Sequence, residues 1–171
     1  MIQTKRCSLI ALSKDSKKDI YRLFTNKTTR LYLGGPRSLE GMEKIWKEML
    51  NENSASYYWT VHIKSSDSFL GLVSISPHHH KDELEISYQF LPEWWGQGLA
   101  TEVIQAVIHF AFEQQLATRL LAETQIANTA SCRVLEKVGM FLVMEIERFG
   151  ARQRIYKIES PHMPRQDKKA D

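Results

Sequence analysis

Cysteine is scarce in this chain of 171 residues: Cys7 and Cys132 are the only two, which excludes a disulfide framework and any metal-binding cysteine spacing. Charge of one sign is lacking as well. Lys and Arg total 23 against 20 Asp and Glu, a net charge of +3, too balanced to mark a nucleic-acid or membrane-surface binder. No apolar run approaches the ~18 residues of a membrane span. The N-terminal run Leu9 to Leu12 falls short of the ~7–15-residue core of a signal peptide, and Lys14 follows at once. These absences predict a cytoplasmic protein with neither nucleic acid nor membrane as partner. No internal repeat and no linker interrupt the chain. What remains is globular composition, 43% hydrophobic and 25% charged, and a length that suits one domain. The expectation is a single α/β (α+β) domain over residues 1–160, with a polar, proline-containing tail at 161–171 that is expected to be disordered.

Residues Arg6 to Leu12 predict a strand, and Ser16, three residues before Asp19, predicts a capped helix carrying Ile20, Leu23 and Phe24 on one face. The segment Leu31 to Ser38 holds two glycines and a proline and breaks the pattern. Ser38 then caps a second helix with Met42, Ile45, Trp46 and Met49 at i, i+3, i+4, i+7. Aromatic and β-branched enrichment predicts strands at Tyr57 to Ile63 and Phe69 to Ser76. From Glu83 to Phe90 the chain alternates, with Glu83, Glu85, Ser87 and Gln89 on one face and Leu84, Ile86, Tyr88 and Phe90 on the other. The three strands are expected to be antiparallel neighbours. A long helix after a glycine loop, a strand at Thr118 to Gln125, a helix capped by Asn128 and stopped by Gly139, and a hairpin around Phe149-Gly150-Ala151 complete the order, giving about seven strands and about four helices. The histidine run His78-His79-His80 reads as a solvated hairpin tip, because neighbouring strand residues point to opposite faces and cannot easily converge on one ion; no metal site is expected.

The sharpest feature is WWGQGLAT, Trp94 to Thr101. A Gly-x-Gly turn opening a helix presents backbone N–H groups that have no intrahelical partner, and the helix dipole adds positive potential there. Both suit a phosphate or pyrophosphate. A P-loop lysine is missing, and Thr101 stands where a dinucleotide-binding loop needs its third glycine, so the pyrophosphate of coenzyme A is the remaining candidate. About thirty residues on, Asn128-Thr129-Ala130-Ser131 opens a helix that runs into CRVLEKVGM.

Together these two segments resemble the GNAT superfamily of acyl-CoA N-acyltransferases, and within it most closely the Rim-type branch of ribosomal-protein-alanine N-acetyltransferases. The resemblance implies a mostly antiparallel mixed sheet and transfer of an acetyl group from acetyl-CoA directly to an amine. It assigns the pyrophosphate to Gly96, Gln97, Gly98, Leu99, Ala100 and Thr101, the pantetheine amides to the strand end at Phe90 and Leu91, and a cofactor amide to Asn128 beside its capping role. Trp95 replaces the Gln or Arg that usually opens the loop. Glu85 falls where several members carry a catalytic base, with Glu83 one pleat earlier as backup. Leu135 occupies the place of the usual tyrosine acid, which leaves Ser131 as the group facing the leaving sulfur. An α-amino group (pKa ~7.7–8.0) asks less of a base than lysine (~10.4), so a protein N-terminus is the first-choice acceptor. A polyamine or aminoglycoside acetyltransferase is the alternative, as is a silent acyl-CoA-binding module. The acceptor pocket is expected between Leu31–Pro36 and the Phe149-Gly150 turn, in a monomer or homodimer.

Overall fold

A computed structural model describes residues 1–79 and 83–161. The expectations for the tail beyond 161 and for His80 lie outside the described residues. Eight strands form one sheet: β1 (Ile2–Gln3), β2 (Cys7–Ala11), β3 (Tyr57–Ile63), β4 (Phe69–Pro77), β5 (Leu84–Phe90), β6 (Arg119–Gln125), β7 (Phe141–Arg148) and β8 (Ala151–Glu159), in the order β1-β2-β3-β4-β5-β6-β8-β7. All pairings are antiparallel except β5 with β6. The helices are α1 (Lys17–Thr25), α2 (Leu39–Met49), α3 (Leu99–Glu113) and α4 (Thr129–Lys137). The eighth strand, β1, is two residues long and carries too little pattern to read. No helix among the described residues is long and apolar enough to cross a membrane.

Local chemistry sets most of these boundaries. Ser38 accepts from the Gly41 amide at 3.1 Å and starts α2, while Asn128 Oδ1 accepts from the Ser131 amide at 3.2 Å and starts α4. The expected cap of α1 differs. Ser16 does not cap the helix; its hydroxyl accepts from the Ser13 amide at 3.3 Å, and a 3-10 turn at Lys14–Ser16 leads into α1 instead. Replacing Asn128 with Ala should lower stability by about 1 kcal/mol, a drop in Tm of about 2–4 °C for a chain of this size, measurable by thermal unfolding.

Two apolar clusters cover the two faces of the sheet. Ile20, Leu23 and Phe24 of α1 meet Met42, Trp46 and Met49 of α2 over Leu72 and Leu91. On the other face α3 packs Val103, Ile104 and Val107 onto Val73, Ile75 and Ile86. Each such side chain contributes roughly 1.5–3 kcal/mol on full burial. Trp46 and Trp59 are core residues, and Cys7 and Cys132 are buried thiols. Between Val61 and His62 the β3–β4 register slips: Val61 pairs with Gly71 and His62 with Phe69, leaving Leu70 as the extra residue of a bulge. Just after the bulge, β4 runs close against the end of β5. A Cβ on Gly71 would sit 2.1 Å from the Gln89 carbonyl oxygen and 2.6 Å from the Phe90 ring, so only glycine fits there.

Candidate active site

The feature that makes a site of this sheet is where β5 and β6 part. They pair at Leu84 with Leu120 and at Glu85 with Leu121, and no further. From Ile86 onward β5 has a strand on one side only, and a wedge opens between the two strands toward the glycine loop. The β4–β5 register directs the N–H and C=O of Glu85, Ser87 and Gln89 to β4, and the Leu91 amide also goes there, to Leu70 O at 2.9 Å. Alternation therefore turns the backbone groups of Tyr88 and the Phe90 N–H toward the wedge. Of the two residues expected to offer backbone to a strand-like ligand, Phe90 has an N–H open to it, whereas the Leu91 N–H is already spent.

At the wide end of the wedge the loop after β5 is fixed by its aromatic residues. Trp94 Nε1 donates to Phe69 O at 3.1 Å and Trp95 Nε1 to Phe90 O at 2.8 Å. Gly96 and Gly98 both adopt φ +74°, a left-handed backbone that costs other residues about 1–2 kcal/mol. The amides of residues 96–101 donate to no acceptor among the described residues. Six unspent N–H groups at the start of a fifteen-residue helix fit a pyrophosphate. Glu102, next in the motif, has a different job. Its carboxylate accepts from Thr4 Oγ1 at 2.6 Å, the Arg6 amide at 2.7 Å and Arg6 Nε at 2.7 Å, and Arg6 Nη1 donates to Gln97 O at 2.9 Å. The N-terminal hairpin is thereby tied to the loop and to the start of α3.

Glu85 lies where the two strands last touch. Burial, and then the neighbouring charge of Glu123, push its carboxyl up to about 7; the Ser87 hydroxyl, 3.2 Å away, and Arg148 act in the opposite direction. Glu123 projects from β6 on the same face, two residues beyond the last pair. Its side chain is 8% exposed, and Oε2 takes Arg148 Nη1 at 2.9 Å and lies 3.3 Å from His78 Nε2. Oε1 is buried and has no hydrogen-bond partner among the described residues, a rare state for a buried carboxylate oxygen. His78 is thus buried against Glu123, not solvated as its place in the histidine run suggested. Glu83, the backup base, is ion-paired with Arg119.

The segments expected to flank an acceptor sit at the two ends of this face. Arg30, 4% exposed, donates to Gly35 O at 3.0 Å and to Gln89 Oε1 at 3.1 Å, tying the loop 31–35 to β5. At the other end Arg148 bridges Glu123 and the ring of Phe149, 5.9 Å away. Phe149 is exposed and held at φ +55°.

On the opposite face of β5, Tyr88 crosses to α4. Its hydroxyl lies 2.8 Å from Ser131 Oγ and 3.4 Å from Ser131 O. Burial raises the phenol well above its ordinary value, so it is neutral at every ordinary pH. Ser131 and Asn128 therefore stand on one wall of the wedge, and the cap uses only the Oδ1 of Asn128. Tyr88, Glu123, Arg148 and Arg30 are the site residues that the sequence reading passed over. Two of them left a trace: a carboxylate in the apolar strand LLAETQ, and a tyrosine on an apolar face, whose hydroxyl must find a partner when buried.

Known proteins share this fold. The chain is 27% identical over 143 residues to the uncharacterized protein YkkB of Bacillus subtilis (strain 168), covering 81% of this chain and 83% of the relative. It is also 27% identical over 150 residues to the uncharacterized N-acetyltransferase YoaA of the same organism, covering 81% of each. Among solved structures, spermidine N-acetyltransferase from Vibrio cholerae, in complex with CoA and spermine, superposes with a TM-score of 0.78 at 18% identity, covering 90% of this chain and 95% of that one. Aminoglycoside acetyltransferase AAC(6')-Ib, in complex with coenzyme A, gives 0.76 at 11% identity, covering 90% and 94%. The model of the acetyltransferase (GNAT) domain matches residues 6–141, and the chain belongs to the GNAT family of acetyl-CoA-dependent N-acetyltransferases.

Proposed function

We propose that this enzyme acetylates a primary amine of low basicity, with a protein N-terminal α-amine as first choice, in keeping with the Rim-type resemblance. The observation that carries this reading is the placement of Glu85 at the point where β5 and β6 part, where burial and the neighbouring Glu123 push its carboxyl up to about 7. A base serves best when its pKa lies near the working pH, and one at about 7 is well matched to an α-amine at ~7.7–8.0 and poorly to a lysine at ~10.4. Glu85 receives the proton that the amine must lose before nitrogen can attack. The amides of residues 96–101 hold the pyrophosphate of acetyl-CoA, the open backbone of Tyr88 and Phe90 lines its pantetheine arm, and Ser131 with Asn128 closes the other wall. The bound thioester supplies the activated acetyl group. The loop 31–35 and the Phe149 turn bound the acceptor.

A second reading is favoured by Glu123. Two carboxylates on one face, Glu85 and Glu123, suit an acceptor that arrives with more than one ammonium group, as a polyamine or aminoglycoside does. Thiol release from acetyl-CoA separates the two. The expected order of kcat/KM places a peptide with a free α-amine above the Nα-acetylated lysine peptide, spermidine and an aminoglycoside. A preference for spermidine or the aminoglycoside would transfer the assignment to the second reading. Binding of acetyl-CoA with no turnover on any of the four would leave the silent binding module.

A further inference from the structure

The position that the family usually gives to an acidic tyrosine on the helix here numbered α4 is Leu135, fully within the core. A phenol nevertheless reaches this helix from the other side of the wedge. Tyr88 comes from β5, and its hydroxyl meets Ser131 Oγ at 2.8 Å. The phenol is the stronger acid of the two hydroxyls, and Ser131 Oγ at 2.8 Å is nearer to it than Ser131 O at 3.4 Å, so we take the Tyr88 hydrogen to lie on Ser131 Oγ. Ser131 Oγ makes no other hydrogen bond among the described residues. Its own hydrogen is consequently left over. With one lone pair held by Tyr88, the rotor is no longer free to turn toward β5, and the remaining hydrogen is presented to the wedge.

We infer that Tyr88 is a positioning residue for the reaction, orienting Ser131 so that its hydroxyl donates a hydrogen bond to the sulfur as the thioester breaks. This rests on the reading of Ser131 given above and adds the group that makes a serine sufficient. The carbon–sulfur bond breaks and its electron pair stays on sulfur, while the new carbon–nitrogen bond has formed to the amine. The ammonium nitrogen gives up two protons: one to Glu85 before attack, which Glu85 later releases to solvent, and a second after the carbon–nitrogen bond has formed, which water carries to the departing thiolate, so the protons balance. Neither Ser131 nor Tyr88 changes charge. A thiol has pKa ~8.5, so a donated hydrogen bond suffices to stabilise the departing thiolate near neutral pH. The burial that keeps Tyr88 un-ionised also keeps it a donor across the working range.

The test uses the full chain with Ser131→Ala, Tyr88→Phe and the double variant, measuring kcat, the KM for amine, the Kd for acetyl-CoA and Tm. The expected result is a fall in kcat of about tenfold or more in each single variant, below the roughly 10²–10³-fold loss of a direct oxyanion donor, and no further fall in the double variant. Amine KM and acetyl-CoA Kd should stay near wild type. A merely structural bond would lower Tm and leave kcat unchanged in Tyr88→Phe, which would overturn the inference while Ser131→Ala still reports on the serine. If Ser131→Ala itself retains full kcat, the underlying reading of Ser131 fails as well. Should Tyr88→Phe not fold, fluorotyrosine at position 88 keeps shape and hydrogen bond but alters donor acidity. A changed kcat supports the positioning role, and an unchanged one overturns it.

Discussion

Glu85→Gln is expected to lower kcat by roughly 10²- to 10⁴-fold, the usual worth of a positioned general base, with acetyl-CoA affinity unchanged. In the wild type, kcat/KM should rise with pH and level off above about 7, as the Glu85 carboxyl loses its proton; in the variant that limb should vanish. The same substitution should act on stability with the opposite sign. Glu85 holds its proton more tightly when folded than when unfolded, so between the ordinary glutamate range and about 7 the native state binds more protons, and stability falls as pH rises. A shift from 4.5 to about 7 corresponds to something on the order of 3 kcal/mol at most. Glutamine carries no such cost. Denaturant titrations at pH 4 and pH 8 should therefore find the variant more stable than wild type only at the higher pH. A variant as active as wild type would remove Glu85 from the base role.

The second large effect is expected at a residue that touches no substrate. Gly71→Ala puts a methyl group 2.1 Å from Gln89 O and 2.6 Å from the Phe90 ring. The first obstacle is backbone and cannot rotate away, so β4 and β5 must separate locally. Overpacking of this kind costs roughly 1–3 kcal/mol, occasionally more. The displaced segment carries the Tyr88 and Phe90 backbone and, through Gln89, the anchor of Arg30. Acetyl-CoA binding should weaken at the same time as the urea midpoint drops. A variant that loses stability but binds acetyl-CoA normally would mean that the open edge of β5 does not line the donor.

How much of this was legible beforehand depended on the range of the interaction. Ser38, Asn128 and the WWGQGLAT loop act within a few residues of themselves, and sequence spacing suffices to place them. Strict alternation put Glu85 and Ser87 on one face of β5 and Tyr88 on the other without any structure. Glu123 left only the trace of a carboxylate in an apolar strand, and its surroundings emerged with the sheet order, because Glu85 on β5, His78 just after β4 and Arg148 at the end of β7 all converge on it. The same holds for Arg30, which directly precedes the breaker segment and whose guanidinium is buried against Gly35 and Gln89. The expected capping role of Ser16 failed because a preceding 3-10 turn took its hydroxyl. The resemblance named only the strand end at Phe90 and Leu91; which of its amides faces β4 follows from the pairing register, with the Leu91 N–H donating to Leu70 O.

The parting of β5 and β6 leaves a sheet that is unfinished in its interior, where other proteins leave unpaired strand edges only at the rim. Whatever completes it acts as a folding ligand. A donor that binds the native chain and not the unfolded one adds RT ln(1 + [L]/Kd) to stability, about 2.7 kcal/mol at a hundredfold excess over Kd. In a cell, then, the pool of acetyl-CoA would set how long each molecule survives proteolysis as well as how fast it turns over. Starved of its donor, the enzyme would become scarce as well as idle.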